Sequence, residues 1–376
     1  MILYIMWENE LCTTVELDET HKPINVVRHI LRIPKQPIYS ESITREQLYE
    51  FIKSRCFEEC RPDKDVLLQS MELTVYNPWE IIKVTHGFQY DDKCWIKFEG
   101  ESITWEDVYA EFDNSEEYKI LSNSGSTGSQ IKYFYQNKMY KLNMTGNEVL
   151  AEYIASVLLS CSNASYVPYE KVTLNGKPAC VSDNFLKSGE SVVSLKSLYN
   201  MHTGKSLSEE IFKLRTVTER YDFVVDKVKE ITGVDIAEYL NILLCLDYLL
   251  CNPDRHFGNI ALITDGMNFR PAPIFDNGQG LGCNYLITPR VLTIDECFTK
   301  LTACTLSGSF EQQLECLMYK GLKLNYTRLY KELSKLPVCR ATEILVTRLH
   351  EYKKDLSTKL NPSFEMLLNA ANASAR

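Results

Sequence analysis

The sequence predicts an α+β protein with two lobes and an additional N-terminal α+β unit. Three observations lead there. Strand patterns with a single helix run from about residue 117 to 185, and helical patterns then dominate to the C-terminus. All four Trp, at 7, 79, 95 and 105, fall in the first 105 residues, which marks a separately packed beginning. No internal repeat or low-complexity run interrupts the chain. The resulting division is an accessory unit over 1–113, a strand-rich small lobe over 114–188 and a helical large lobe over 189–376.

The elements follow in order. MILYIMW and CTTVELDE read as paired strands, and TREQLYEFIKSRC as a helix opened by a Thr44…Gln47 capping box. NPWEIIKVTHGFQYDDKCWIKFEG mixes apolar runs with a turn and reads as more strand than helix. TWEDVYAEF is a short helix and DNSEEY a polar connector. YKILSN, IKYFYQ and NKMYKLNM are strands. SGSTGSQ lies between the first two as a flexible loop, and a turn at Gln136–Lys138 enters the third. TGNEVLAEYIASVLL is a helix with Thr145…Glu148 as its expected capping box. VPYEKVTLNGKPACVSDNF is a hairpin turned at Asn175-Gly176, and the lobe junction falls near Ser182–Glu190. Beyond it come EEIFKLRTVTERYDFVVDKVKEIT, DIAEYLNILLCLDYLL and several helices from 309 to 370, with IALIT as a strand.

Composition narrows the classes. A length of 376 residues with 45% apolar and 24% charged residues suits a soluble globular protein with a sizeable core. The formal net charge of −9 and the lack of a basic run argue against nucleic acid or an anionic membrane as direct partners. The 13 Cys are scattered, with only Cys56 and Cys60 close and no C-x-x-C, so they read as reduced thiols of a cytoplasmic protein. MILYIMWENE has no positive segment before its apolar stretch, and no apolar run is long enough for a bilayer; neither a signal peptide nor a membrane span is expected.

Chemistry concentrates in two places. The loop SNSGSTGSQ, residues 122–130, carries small residues that let backbone N–H groups approach phosphate oxygens, although a plain hairpin turn has the same composition. Lys141 lies on the following strand, and Glu148 and Glu152 share one face of the next helix. A strand lysine answered by a helix glutamate is how kinases hold nucleotide phosphates, but surface lysines and helix glutamates are common. The second place is CNPDRHFGNI, residues 251–260, followed by FDNGQG at 275–280. Asp254 precedes Asn259 by five residues, and Asp276 follows Asn259 by seventeen. Metal-assisted phosphoryl transfer needs a carboxylate to accept the proton of the attacking hydroxyl. It also needs hard oxygen ligands for Mg²⁺, here a neutral amide and a second carboxylate. The spacing of five matches the Asp and Asn of H-R-D-x-x-x-x-N, and Asp276-Asn277-Gly278 stands where Asp-Phe-Gly would. Arg255 and His256 read as braces of the loop, and Asn252-Pro253 as the turn after a helix.

NPDRHFGN with FDNG resembles the HipA-like kinases, a branch of the protein kinase-like fold, and is similar to the D-R-H-x-x-N motif of phosphatidylinositol kinases. TGSQIKYFY is similar to the family's A-G-x-Q-x-K loop at Gly128, Gln130 and Lys132. CVSDNFLKSGE resembles its hinge, and GNEVLAEYIASVLL the helix bearing its glutamate, which falls on Glu148. The resemblance covers roughly residues 117–350 and implies a bilobal HipA-type kinase fold that uses ATP and Mg²⁺. It implies Asp254 as catalytic base and Asn259 and Asp276 as metal ligands. Lys141 would contact ATP phosphates, paired with Glu148 or Glu152. The nucleotide would lie against Ser124, Gly125, Ser126, Thr127, Gly128, Ser129, Gln130 and Lys132, with Asn184 and Phe185 of the hinge. Asp247 would brace the catalytic loop from the preceding helix. The loop serine that the family autophosphorylates falls on Gly125, between Ser124 and Ser126.

Three functions are compatible with this reading. One is an ATP- and Mg²⁺-dependent Ser/Thr protein kinase, with autophosphorylation. The second is a kinase of a small molecule or phosphatidylinositol-like substrate. The third is a pseudokinase whose N-terminal unit binds a partner. Retention of Asp254, Asn259, Asp276 and Lys141 together argues against the third. Residues 277–310 are expected to include the activation segment. Residues 1–113 carry no cluster for phosphoryl chemistry, so regulation, partner docking or the covering of apolar surface is their expected role.

Overall fold

The structure, a computed structural model, describes residues 1–29, 43–57, 59, 64–89, 92–113, 119–120, 130, 132–317 and 321–355. Its first sheet is antiparallel in the order β3-β2-β1-β4, from β1 (Ile2–Trp7), β2 (Glu10–Leu17), β3 (Pro23–His29) and β4 (Cys94–Phe98). Helices α1 (Arg45–Ser54), α2 (Lys64–Ser70) and α3 (Pro78–Thr85) precede β4, and α4 (Trp105–Asp113) follows it. The central strand β1 buries both faces. Leu3 and Ile5 pack with Leu48, Phe51 and Ile52 of α1, while Met6 joins Trp95, Trp105, Phe88 and Phe134 on the other side. The Thr44–Gln47 capping box forms as expected, with Gln47 N donating to Thr44 Oγ1 at 3.1 Å and Thr44 N to Gln47 Oε1 at 2.9 Å. The strand expectation for residues 78–85 is corrected to a helix. Asn77 caps α3 by accepting from Trp79 N, and Pro78 occupies the first turn, where its missing N–H costs nothing. The apolar run disguised an N-terminal helix signal.

The second sheet has the order β5-β6-β7-β9-β8, from β5 (Lys119–Ile120), β6 (Lys132–Tyr135), β7 (Lys138–Leu142), β8 (Glu170–Leu174) and β9 (Lys177–Asp183). Left-handed Gln136 and Asn137 turn β6 into β7, and left-handed Asn175 and Gly176 turn β8 into β9. Between β7 and β8 runs α5 (Glu148–Ser160), whose Ala151, Ile154, Ala155 and Leu158 reach the main core. The expected Thr145–Glu148 capping box does not form. Asn147 holds the cap position without a side-chain bond. Glu148 instead accepts from Met144 N at 3.1 Å, Thr145 N at 2.6 Å and the Thr145 hydroxyl. It stabilises the turn that enters the helix.

The remaining elements are β10 (Ser191–Ser194), α6 (Leu195–Thr203), α7 (Leu207–Phe212), α8 (Val217–Thr232), α9 (Ala237–Leu250), β11 (Ala261–Thr264), β12 (Phe269–Pro271), α10 (Ile294–Lys300), α11 (Phe310–Glu315), α12 (Tyr326–Leu333) and α13 (Arg340–Asp355). The segment read as one helical run before 232 breaks into α7 and α8, because Thr216 and Glu219 form a capping box that starts a new helix. A three-stranded sheet, β10-β11-β12, sits within the helical half, and only its middle strand was expected from sequence. Helix α9 is the axis of the main core, buried at every position from Leu240 to Leu250. A helix apolar all round belongs inside a protein. Among the described residues no helix is long and apolar enough to cross a membrane. The expected C-terminal helices are α11, α12 and α13; the part of that expectation beyond residue 355 lies outside the described residues.

Phe134 of β6 is 1% exposed because Met6, Phe88, Trp95 and Trp105 cover it. Its truncation, Phe134→Ala, should cost about 3–5 kcal/mol of unfolding free energy. A chain starting at residue 114 should lose solubility for the same reason. Urea unfolding checks the first, and a loss below about 1 kcal/mol, a typical effect for a mutation of no special burial, would show that this covering contact is dispensable.

Candidate active site

The C-terminal end of α9 builds the first half of the site. Cys251 turns the chain sharply at φ 45°, and Asn252 N donates to Asp247 O at 3.0 Å. Asn252 then pins the turn with its side chain, accepting from Asp254 N at 3.1 Å and donating to Asp247 Oδ1 at 3.3 Å. Arg255, 1% exposed, folds back onto Asp247, with Nε at 3.1 and 3.2 Å from the two carboxylate oxygens. Its other nitrogens donate to Asn259 O at 3.1 Å, Phe275 O at 2.8 Å and Asn277 Oδ1 at 2.5 Å. One guanidinium therefore joins α9, the 251–259 loop and the 275–277 segment. Thr305 adds a bond to Arg255 O at 2.6 Å. Burial pushes Asp247 up to about 6, and Arg255 keeps it ionised at neutral pH.

The second half comes from the five-stranded sheet. Lys132 on β6 and Lys141 on β7 are directly opposed, so both side chains lie on one face. They are 4% and 2% exposed. Two buried ammonium groups side by side need anions, and the site provides them. Lys141 Nζ lies 2.8 Å from Glu152 Oε1 and 2.8 Å from Asp276 Oδ1, with the Tyr169 ring centroid at 4.8 Å. Burial works against the Lys141 charge, but the Asp276 and Glu152 carboxylates outweigh it and hold the group well above its ordinary value. Burial likewise opposes the Asp276 charge, and Lys141 and Lys132 reverse that, leaving its carboxyl well below the usual range. Glu152 Oε2 also accepts from Asn277 N at 2.9 Å, which helps hold Asp276 in its left-handed conformation at φ 59°. Of the two glutamates left open, Glu152 pairs with Lys141. Glu148, the position of the family glutamate by resemblance, is occupied by the 144–145 turn.

Asp254 and Asn259 face each other across the loop. Asn259 Nδ2 donates to Asp254 O at 2.8 Å and lies 3.4 Å from Asp254 Oδ2. Burial and the nearby Asp276 carboxylate push Asp254 up to about 7, although its side chain keeps 40% exposure and water screens part of that rise. His256 Nδ1 accepts from Gly258 N at 3.0 Å, so the ring proton sits on Nε2, 3.8 Å from Asp254 Oδ1. Burial keeps this imidazole neutral. Asn259 Oδ1 is buried with no hydrogen-bond partner among the described residues. A buried amide oxygen left bare is costly, and a hard cation is a natural occupant for it. Together with the Asp276 carboxylate it would offer Mg²⁺ the hard oxygen ligands that ion takes, alongside phosphates and water. Among the described residues no group of three or more His, Cys, Asp or Glu is placed to hold a metal.

The other sequence candidates divide. Gln130 is 4% exposed and donates to Leu142 O at 3.1 Å. A Cβ on Gly278 would lie 3.5 Å from its Oε1 and 3.4 Å from Glu152 Cγ, so the glycine allows close packing here. Asn184 is tied to the β6–β7 turn, donating from N to Asn137 O and from Nδ2 to Asn137 Oδ1, both at 3.0 Å. Phe185 stacks on Phe275 with centroids 6.0 Å apart, linking the hinge to the residue before Asp276. Ser124, Gly125, Ser126, Thr127, Gly128 and Ser129 lie outside the described residues. Sequence reading missed Asn277, Thr305 and Tyr169. Only Asn277 stood inside a recognised motif, and its partner Arg255 is 22 residues away in the chain.

No protein-family model and no curated protein matches the chain. Solved structures do. HipA of the Shewanella oneidensis MR-1 toxin–antitoxin system, solved with HipB and operator DNA, is 13% identical with a TM-score of 0.50, covering 99% of this chain and 95% of that one. The Helicobacter pylori proinflammatory kinase CtkA is 20% identical with a TM-score of 0.45, covering 60% of this chain and 88% of that one. The first likeness establishes an α+β kinase-like fold, as the sequence predicts.

Two outcomes follow from the buried charges. Asp247→Ala leaves Arg255 buried beside an empty place and should cost about 3–5 kcal/mol in urea unfolding; a loss under about 1 kcal/mol, the upper end for an exposed pair, would show the pair to be solvated. For Asp254 the sign is opposite. A carboxyl whose folded value is raised contributes stability at low pH and loses it as pH rises through the folded value. Asp254→Asn should therefore raise the melting temperature at pH 8 relative to the native chain and make little difference at pH 4. An equal shift at both pH values would contradict the charged-site account.

Proposed function

We propose that this chain is a HipA-like phosphotransferase that moves the γ-phosphoryl group of ATP to a Ser or Thr hydroxyl of a protein. The observation that carries the reading is the convergence of Lys141, Glu152, Asp276, Asn259 and Asp254 from one strand, one helix and two loops, with the bare Asn259 amide oxygen among them. Asp254 accepts the proton of the attacking hydroxyl, and its raised value near neutrality suits that task. Lys141, oriented by Glu152, donates to nucleotide phosphates, and Lys132 adds charge from the neighbouring strand. Asn259 and Asp276 would hold Mg²⁺, which neutralises developing charge on the phosphates. Glu152 has the second task of fixing the Asp276 backbone through Asn277. The 122–130 loop and the hinge residues Asn184 and Phe185 complete the nucleotide pocket in this reading, and hydroxyls in that loop are candidate autophosphorylation sites.

The same proposal assigns residues 1–113 a covering role for the five-stranded sheet, with regulation or partner docking as its further use. The described cysteines carry free thiols, which suits a reducing cytoplasm. Neither nucleic acid nor membrane is a proposed direct partner.

Labelled ATP with casein-like proteins and with a metabolite panel tests the reading. Label on protein is expected; label on metabolites alone would make this a small-molecule kinase, and none at all a pseudokinase. Asp276→Ala removes a metal ligand and should lose at least about a hundredfold in turnover while the chain still folds, with a lowered melting temperature because Lys141 loses one of its two carboxylate partners. Near-native turnover would remove that assignment. The rate should fall on the acid side with a midpoint above the ordinary 3.8 of an aspartate and no higher than about 7, because a protonated Asp254 accepts nothing. A rate flat from pH 5 to 8 would exclude it as the base.

A further inference from the structure

The segment after Asp276 is held by one side chain that the mechanism above does not use. Arg340 opens α13 and donates to four main-chain carbonyls of that segment. Nη1 reaches Pro289 O at 2.5 Å and Leu292 O at 3.5 Å, and Nη2 reaches Gly282 O and Thr288 O, both at 2.7 Å. Arg340 and Arg290 both approach the Tyr285 ring, with Cζ atoms 5.8 and 4.5 Å from its centroid. Thr288, fully buried, adds Oγ1 bonds to Gly282 O at 2.9 Å and Asn284 O at 3.0 Å. Leu281 N donates to Leu250 O at 2.6 Å, so the segment is also tied to the end of α9.

The segment in turn touches the entry to α5. Gly146 and Asn284 form an antiparallel bridge, with Asn147 N donating to Cys283 O at 2.8 Å and Tyr285 N to Thr145 O at 3.2 Å. The approach is so close that a Cβ on Gly146 would lie 1.8 Å from Cys283 O. Only glycine permits it. Glu148 folds over the same turn, and Glu152 stands one helical turn further on, in contact with Lys141 and Asn277.

We infer that Arg340 is a positioning residue for phosphoryl transfer. It clamps the backbone of 282–292, and through the Gly146–Asn284 bridge the clamped segment sets the start of α5 and hence the place of Glu152. This rests on the function proposed above. The geometry of guanidinium matters: two nitrogens in a rigid fork serve four carbonyls, which one ammonium cannot do.

The test uses the full chain with Arg340→Gln, Arg340→Lys and Gly146→Ala, melting curves to confirm folding, and two readouts. The first is amide exchange at Asn147 and Tyr285, whose N–H groups make the bridge. The second is the split of kcat from KM for ATP. Arg340→Gln should speed exchange at both amides and lower kcat about tenfold or more while KM changes less than about threefold, because misplacement of a reacting group acts on turnover. Arg340→Lys should fall between, and Gly146→Ala should reproduce the signature from the other side of the bridge with Arg340 intact. If Arg340→Gln does not fold, the other two variants decide. Unchanged exchange overturns the clamp, and faster exchange with native kcat reduces Arg340 to packing and overturns the positioning role. Should the native chain transfer no phosphoryl group, the functional reading fails by itself, while exchange at Asn147 in the variants still decides the clamp.

Discussion

Arg255 and Asp247 form the contact on which the rest of the site depends. A buried ion pair is a poor source of net stability, since desolvation consumes most of the attraction. What this one provides is geometry. Asp247 is presented from the last turn of a helix buried on all sides, so its position is set by the main core. The guanidinium it holds has three further bonds, to the loop that ends at Asn259, to the carbonyl of Phe275 and to the side chain of Asn277. The two motifs, seventeen residues apart, are thereby placed relative to each other by the hydrophobic interior.

Around that frame the site balances charge locally. Two opposed lysines lie on one face of the sheet, and Lys141 and Asp276 each move the other toward its ionised form. Asp254 is left out of this arrangement. Burial and the nearby Asp276 carboxylate drive it toward neutrality, further than burial drives Asp247, whose charge Arg255 supports directly. Pairs of titratable groups pushed in opposite directions are a common mark of a functional site, because stability alone would favour pairing them all. The bare Asn259 oxygen is a second cost of the same kind.

Distant parts of the chain are tied in by few but well-buried contacts. Phe134 places the second sheet against the Trp95 and Trp105 side of the first. On the opposite side Gln47, besides capping α1, donates to Met201 O at 3.0 Å, joining the first sheet's helix to α6. These contacts make residues 1–113 part of the packing that supports β6 and β7, the strands of Lys132 and Lys141.

The sequence by itself determined what depends on near neighbours. Hairpin turns at Gln136–Lys138 and Asn175-Gly176, the Thr44 cap and the apolar α9 are local choices of backbone and burial, and they form as read. The order of Asp254, Asn259 and Asp276 was legible too, because their chemistry imposes short, specific spacings. Tertiary structure decided the rest. Glu148 and Glu152 share one helix face, and only the turn at Met144–Thr145, which consumes Glu148, leaves Glu152 for Lys141. Pro78–Thr85 looked like a strand because its apolar run outweighed a cap residue whose bonds become visible only in three dimensions. Strand β10 is stabilised by a partner some seventy residues away, and Arg340 acts on carbonyl oxygens that every residue possesses. Contacts made to the backbone leave no trace in residue type, so no pattern in the sequence could announce them.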